Sequence, residues 1–257
     1  MKTIRTALAA VVAVAGFTFA AQAPAFAAGN AVHAPEHHWS FSGLFGTFDR
    51  AALKRGFQVY KASCAACHGL RLVAYRNLMD IGFTEDEVKK IAAEYQFMDG
   101  PNESGEMFER PGLPSDRFRS PFANAEAARA SNNGALPPDL SLIVKARPGG
   151  ADYIHALLTG YKEPPAGMDM QGMQYNEYFP GQRIAMPAPL AEDGVEYADG
   201  TKATVEQMSQ DVVTFLAWAA EPELEERKRM GVKAILFLLL LTGMFYVVKR
   251  RIWAAVH

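Results

Sequence analysis

The chain has almost no cysteine: two residues in 257, Cys64 and Cys67. That scarcity excludes a disulfide framework and leaves nothing for a zinc site built on a second cysteine pair. An excess of positive charge is missing too. The whole chain carries 26 Lys+Arg against 28 Asp+Glu, a formal charge of −2. Between Gly29 and Glu226 all 28 acidic residues stand against 17 basic ones, so that stretch alone carries −11. The sign disfavours nucleic acid and suits electrostatic attraction of a cationic partner. Its acidic runs are Glu85-Asp86-Glu87, then Glu103, Glu106 and Glu109, then Glu192-Asp193 with Glu196 and Asp199. Internal repeats are absent, and strand signals are few. Segments 96–123 and 161–203 are rich in Pro, Gly and aromatics instead, a composition of long loops packed over something.

Two apolar runs are present, one at each end. Lys2 and Arg5 precede an apolar stretch from Ala7 to Ala21, and Ala25-Phe26-Ala27 offers a small-x-small cleavage site. Residues 1–27 therefore read as a cleaved secretory signal peptide of bacterial type, leaving 28–226 as an exported domain. The second run, Met230 to Val248, spans roughly 28 Å as a helix, close to the thickness of a hydrocarbon core. Lys233 can snorkel, Tyr246 and Trp253 suit the interface, and Lys249-Arg250-Arg251 form a cytoplasmic stop. Arg227-Lys228-Arg229 oppose that orientation, but the signal peptide outweighs them. The expected organisation is an anchor helix over 227–250 and a cytoplasmic tail over 251–257.

The chemistry resides in Cys64-Ala65-Ala66-Cys67-His68. C-x-x-C-H is the attachment pattern for c-type haem. On a helix, positions i, i+3 and i+4 share a face, so two sulfurs meet one porphyrin edge while the imidazole turns to the iron. A thiol redox pair is the alternative use of C-x-x-C. The surrounding pattern is helical: Asp49–Ser63 leads into the motif with Leu53, Phe57 and Tyr60 at helical spacing. Thr84 with Glu87 and Thr204 with Gln207 read as capping boxes, Asn124 as a cap, and Asp152–Leu158 as a helix closed by Gly160. Pro222 marks a bend or restart before the anchor. The expected fold is mainly α, a cytochrome c-like haem domain with long irregular loops plus one C-terminal transmembrane helix.

The motif supplies one axial ligand. His33, His37, His38, His155 and His257 all read as surface or packing residues. Among the methionines, Met168, Met170 and Met173 sit in a glycine-rich stretch, whereas Met186 lies between Pro180-Gly181 and Pro187 and Pro189. Prolines stiffen a loop, and a stiff loop helps hold a weak thioether on iron. A methionine in that place raises the potential and closes the metal to substrates; an open site would mean haem enzymology, such as a peroxidase.

The chain resembles cytochrome c1, the haem subunit of the cytochrome bc1 complex, in its bacterial form. The likeness rests on RGFQVYKASCAACH (55–68), VAYRNL (73–78), ARASNNGALPPDLS (128–141), ARPGGADYIHALLTGY (146–161), YFPGQRIAMPAPL (178–190) and TFLAWAAEPELEERKRMG (214–231), in order along nearly the whole mature chain. It implies one haem c on Cys64 and Cys67, with His68 proximal and Met186 distal, and Asn133, Pro138, Arg147 and Tyr153 lining the group. It further implies an electron carrier without catalysis of its own, working with cytochrome b, a Rieske iron–sulfur protein and a c-type cytochrome in a dimeric membrane complex. A free-standing, membrane-anchored cytochrome shuttle is the alternative. An extra cysteine pair found in some bacterial relatives is absent, so the Met186 loop is expected to rely on prolines and packing alone.

Overall fold

The structure is a computed structural model that describes residues 32–254; the signal-peptide reading of 1–27 and His257 lie outside the described residues. Helix α1 (Arg50–Val59) begins where Asp49 accepts hydrogen bonds from the amides of Ala51 and Ala52. It packs most extensively against the long core helix α6 (Val205–Ala220). Gly56 sets how closely they cross: a Cβ there would stand 2.1 Å from the Asp211 carbonyl oxygen, so any side chain forces the helices apart. Around the crossing, Leu53, Phe57, Met208, Val212 and Phe215 are fully or nearly fully buried, and the Phe57 and Phe215 rings meet edge-on. Arg55 crosses the same junction to Asp211, with Nε and Nη2 donating at 2.8 and 3.0 Å to a carboxylate that is fully buried.

From α1 the chain enters a π-helical turn (Tyr60–Cys64), a 3-10 helix (Tyr75–Ile81), and α2 (Glu85–Ala93). α2 has the expected capping box: Thr84 and Glu87 exchange side chain-to-backbone bonds. Short helices α3 (Ala125–Ser131) and α4 (Ile143–Ala146) precede α5 (Gly150–Thr159), which stacks with α4 against α6. Asn124 caps α3 as expected.

Two local expectations are corrected. The loop segments contain two small antiparallel hairpins, β1 (Gln96–Asp99) with β2 (Phe108–Pro111), and β3 (Gln174–Tyr175) with β4 (Arg183–Ile184). The first is closed by Arg110, which reaches both Asp99 and Asp116; with strands of four and two residues, both are too short to stand out in the sequence. Thr204 caps α6, but Gln207 does not complete the box, because its amide donates to Asp211 instead. Gly160 closes α5 as expected, with φ −89°. Glycine is required there by the Tyr178 ring, whose nearest carbon would lie 2.6 Å from an added Cβ.

Pro222 interrupts the helix at the α6 end, and α7 (Leu224–Trp253) restarts two residues later. Its 30 residues extend about 45 Å, and it is long and apolar enough to cross a membrane. Its base is fixed to the globular part. Glu225 accepts from the Phe48 amide and from Arg50, and Lys228 donates to the carbonyls of Phe41 and Gly46 at 2.6 and 3.0 Å. Arg227 pairs with Glu221. Two of the three basic residues that opposed the anchor's orientation are thus occupied in joining helix to domain.

Candidate haem site

The C-x-x-C-H segment is delivered by α1 through the π turn. The amide of Ala65 bonds back five residues to the Tyr60 carbonyl at 2.9 Å, and the chain then tightens, with Cys67 and His68 amides both donating to the Cys64 carbonyl at 3.1 and 2.9 Å. The expected helix from Asp49 through Ser63 is present but changes type: the α form ends at Val59 and continues as the wider π turn, a feature frequent at functional sites, which re-aims the residues that follow. The i to i+4 bond still places Cys64 and His68 on one face. Cys64 is buried and Cys67 exposed, and the two thiols are not joined to each other.

His68 is held from both ends. The Tyr60 hydroxyl donates to its carbonyl at 3.0 Å, and its Nδ1 lies 2.7 Å from the Pro138 carbonyl oxygen. A carbonyl only accepts, so Nδ1 carries the ring proton and Nε2 is left with a free lone pair. Desolvation lowers the imidazole's pKa, keeping it in the neutral form a metal needs. Segment 138–141 is stitched alongside: Leu140 N to Gly69 O at 2.8 Å, Arg71 N to Asp139 at 3.0 Å, Leu72 N to Ser141 Oγ at 3.1 Å. Asp139 and Ser141 were missed by sequence reasoning. The Asx-turn pattern after the proline pair, with Asp139 accepting from the Ser141 amide, was the available signal.

Met186 is half-buried between the buried Ile184 and Leu190. Its carbonyl accepts from the Tyr161 hydroxyl at 3.1 Å. Asn176, fully buried, donates to the Leu157 carbonyl of α5 and accepts from the amides of Tyr178 and Phe179. The expectation that prolines and packing alone steady this loop is corrected, since these hydrogen bonds tie it to α5. Tyr153 is half-buried on the same helix, its pKa raised by desolvation and drawn back by nearby Arg147. Arg147 itself is exposed. Asn133 is exposed in the left-handed conformation (φ 51°), reversing the chain after α3, and the hydrogen bonds about His68 do not include it. A cleft of about 310 Å³ flanks the motif beside Ala65 and Ala66, walled by Tyr60, Tyr75, Tyr95 and Phe118. Neither His68, Pro138 nor Met186 borders it.

The geometry favours neither competing chemistry. A redox C-x-x-C needs a thiol whose pKa is lowered, whereas burial pushes Cys64 up to about 12. A zinc site needs further ligands, and the one cluster of His and acid side chains within sharing distance found among the described residues excludes Cys64, Cys67 and His68. A buried thiol, a second three residues on, and a neutral imidazole locked in the Nε2-ligating tautomer suit a haem joined at its edge. The site therefore defines a c-type haem protein, one with a covalently bound haem c.

The comparisons with known proteins agree. Residues 39–256 match the model of the Cytochrome C1 family. The chain is 48% identical over 256 residues to cytochrome c1 of Rhodospirillum rubrum, covering 93% of this chain and 94% of that one. It is 52% identical over 232 residues to "Cytochrome c1 1, heme protein, mitochondrial" of Arabidopsis thaliana, with 89% and 76% covered. To "Cytochrome b/c1" of Bradyrhizobium diazoefficiens it is 48% identical over 246 residues, 87% of this chain but 36% of that one. The chain belongs to the cytochrome c1 family.

Proposed function

We propose that the chain is the electron-transfer haem subunit of a ubiquinol–cytochrome c oxidoreductase of the bc1 type. Haem c supplies one-electron exchange at iron when bound. Cys64 and Cys67 would hold it through thioethers, and His68 Nε2 and the Met186 thioether would bind its iron. The observation that carries this reading is the His68–Pro138 bond, which leaves Nε2 as the ligand atom. Arg147 would pair with a propionate, and Tyr153, Pro138 and Asn133 would line the group. Met186, whose carbonyl is held by Tyr161, would occupy the iron's remaining position and leave none for a substrate, so in this reading the chain relays electrons and catalyses no bond change itself.

In this reading a Rieske iron–sulfur protein is the donor and a c-type cytochrome the acceptor, with cytochrome b beside the anchor in a dimeric complex. The name of the Bradyrhizobium relative supports the pairing with cytochrome b. Residues 1–27 direct export and are removed, the haem domain stands in the periplasm, α7 anchors it in the cytoplasmic membrane, and the tail ends in the cytoplasm. A mild-detergent pull-down of the tagged chain is expected to recover a b-haem protein and an iron–sulfur subunit. Recovery of the chain alone would favour the free-standing shuttle.

The −11 domain bears on the acceptor. The first acidic run is engaged locally, through the Glu87 capping box and the Glu85–Lys89 pair, and Asp199 in the third pairs with Arg55. Glu103, Glu106 and Glu109 are exposed on the β1–β2 hairpin and are the best-placed run for steering a cationic partner. Reduction of a basic cytochrome c should slow as ionic strength rises. A rate indifferent to salt rejects steering.

A further inference from the structure

Away from the haem ligands, three side chains from separate elements converge: His37 on the strap preceding α1, His155 on α5 and Glu206 on α6. Their ligating atoms lie within 4.8 Å of one another. The strap is fixed there by Asp152, whose Oδ1 accepts from the His37 amide at 3.2 Å and from the Trp39 indole at 2.6 Å. Trp39 is buried and meets the His155 ring edge-on at 5.8 Å, while the His37 ring stands 4.8 Å from that of His155.

His155 is bonded at both ring nitrogens. Nδ1 lies 2.8 Å from Ser209 Oγ, and Nε2 faces Glu206 Oε1 at 3.0 Å. The Ser209 hydroxyl can serve Nδ1 as donor or as acceptor, so Nε2 can give up its proton to a cation without leaving Nδ1 unpaired. A cation seated between Nε2 and the Glu206 carboxylate would also face the adjacent His37 ring, which a hydrogen bond between the two leaves out. A tetrahedral ion bonded at ~2.0–2.1 Å to each ligand sets donor atoms roughly 3.3 Å apart, close to the 3.0 Å between Nε2 and Oε1. The half-buried His37 nitrogen, within 4.8 Å of both, must close in to make the third bond, leaving the fourth position to water.

We propose that His37, His155 and Glu206 bind a divalent cation of the zinc class, which staples the N-terminal strap to α5 and α6. Two imidazoles and one carboxylate suit zinc, copper or nickel and not the oxygen-seeking calcium or magnesium. The test is a zinc titration of the purified, haem-loaded chain, prepared without a histidine tag, stripped with chelator and held in detergent. One zinc per haem is expected, with two imidazoles at the zinc X-ray absorption edge. Glu206→Gln and His37→Ala should each weaken binding about tenfold or more with the haem spectrum unchanged. The glutamine amide can still hydrogen-bond Nε2, so that variant removes the ligand without leaving the ring nitrogen unpaired. His33→Ala and His38→Ala, on the same strap, should leave affinity as it is. No saturable binding, binding indifferent to both ligand variants, or loss that follows His33 or His38 would overturn the proposal.

Discussion

Replacing Met186 with leucine is expected to lower the haem midpoint potential by on the order of hundreds of millivolts, because thioether ligation raises the potential and no side chain of leucine can replace it. Leucine nearly matches methionine in volume, so packing between Ile184 and Leu190 should survive. The Tyr161 hydrogen bond reaches the backbone carbonyl of residue 186, not its side chain, and persists in the variant. Ligation is thereby separated from folding, which is what makes the test clean. The measurement is a redox titration of the purified chain, with the methionine–iron charge-transfer absorption followed in parallel. An unchanged potential with that absorption intact would exclude Met186 and return attention to Met168, Met170 and Met173. A lowered potential with new binding of small ligands would show that Met186 alone keeps the iron closed.

The parts of the fold readable from sequence are those set by neighbours along the chain. The caps at Thr84 and Asn124, the break at Pro222 and the long apolar helix after it each depend on a few adjacent residues, and each is found there. Cys64, Cys67 and His68 are legible for the same reason. Met186 stood out through the prolines about it, although the bonds that steady its loop come from Tyr161 and Asn176. Those bonds, like that from His68 to a backbone oxygen 70 residues on, involve partners that only tertiary folding brings together. A carbonyl has no signature in sequence at all. Gln207 shows the converse: a correct local pattern overridden because buried Asp211 competes for the same amide. His155 read as a packing residue, and its position facing Glu206 depends on how α5 lies on α6.

The largest effect on stability should come from Asp211→Ala, an expected loss of about 3–5 kcal/mol in denaturant unfolding of the detergent-solubilised chain. Asp211 is fully buried and takes three donors, Arg55 Nε, Arg55 Nη2 and Gln207 Nε2 at 2.8, 3.0 and 3.1 Å. Its removal leaves a mostly buried guanidinium with only the partly exposed Asp199 as partner. Gly56 has brought the helix backbones so close at this junction that little relaxation is open to them. The double variant Arg55→Met, Asp211→Leu should be less destabilised than Asp211→Ala, because it removes the uncompensated charge along with the pair. A loss below about 1 kcal/mol for Asp211→Ala would mean that apolar contacts alone hold the crossing. The consequence reaches the haem: α1 runs directly into the π turn that ends at Cys64, so slack in its packing on α6 displaces the attachment thiol. Asp211→Ala chains should therefore also show a lower fraction of covalently attached haem, read from pyridine haemochrome per protein, although Asp211 belongs to none of the residues that would hold the group.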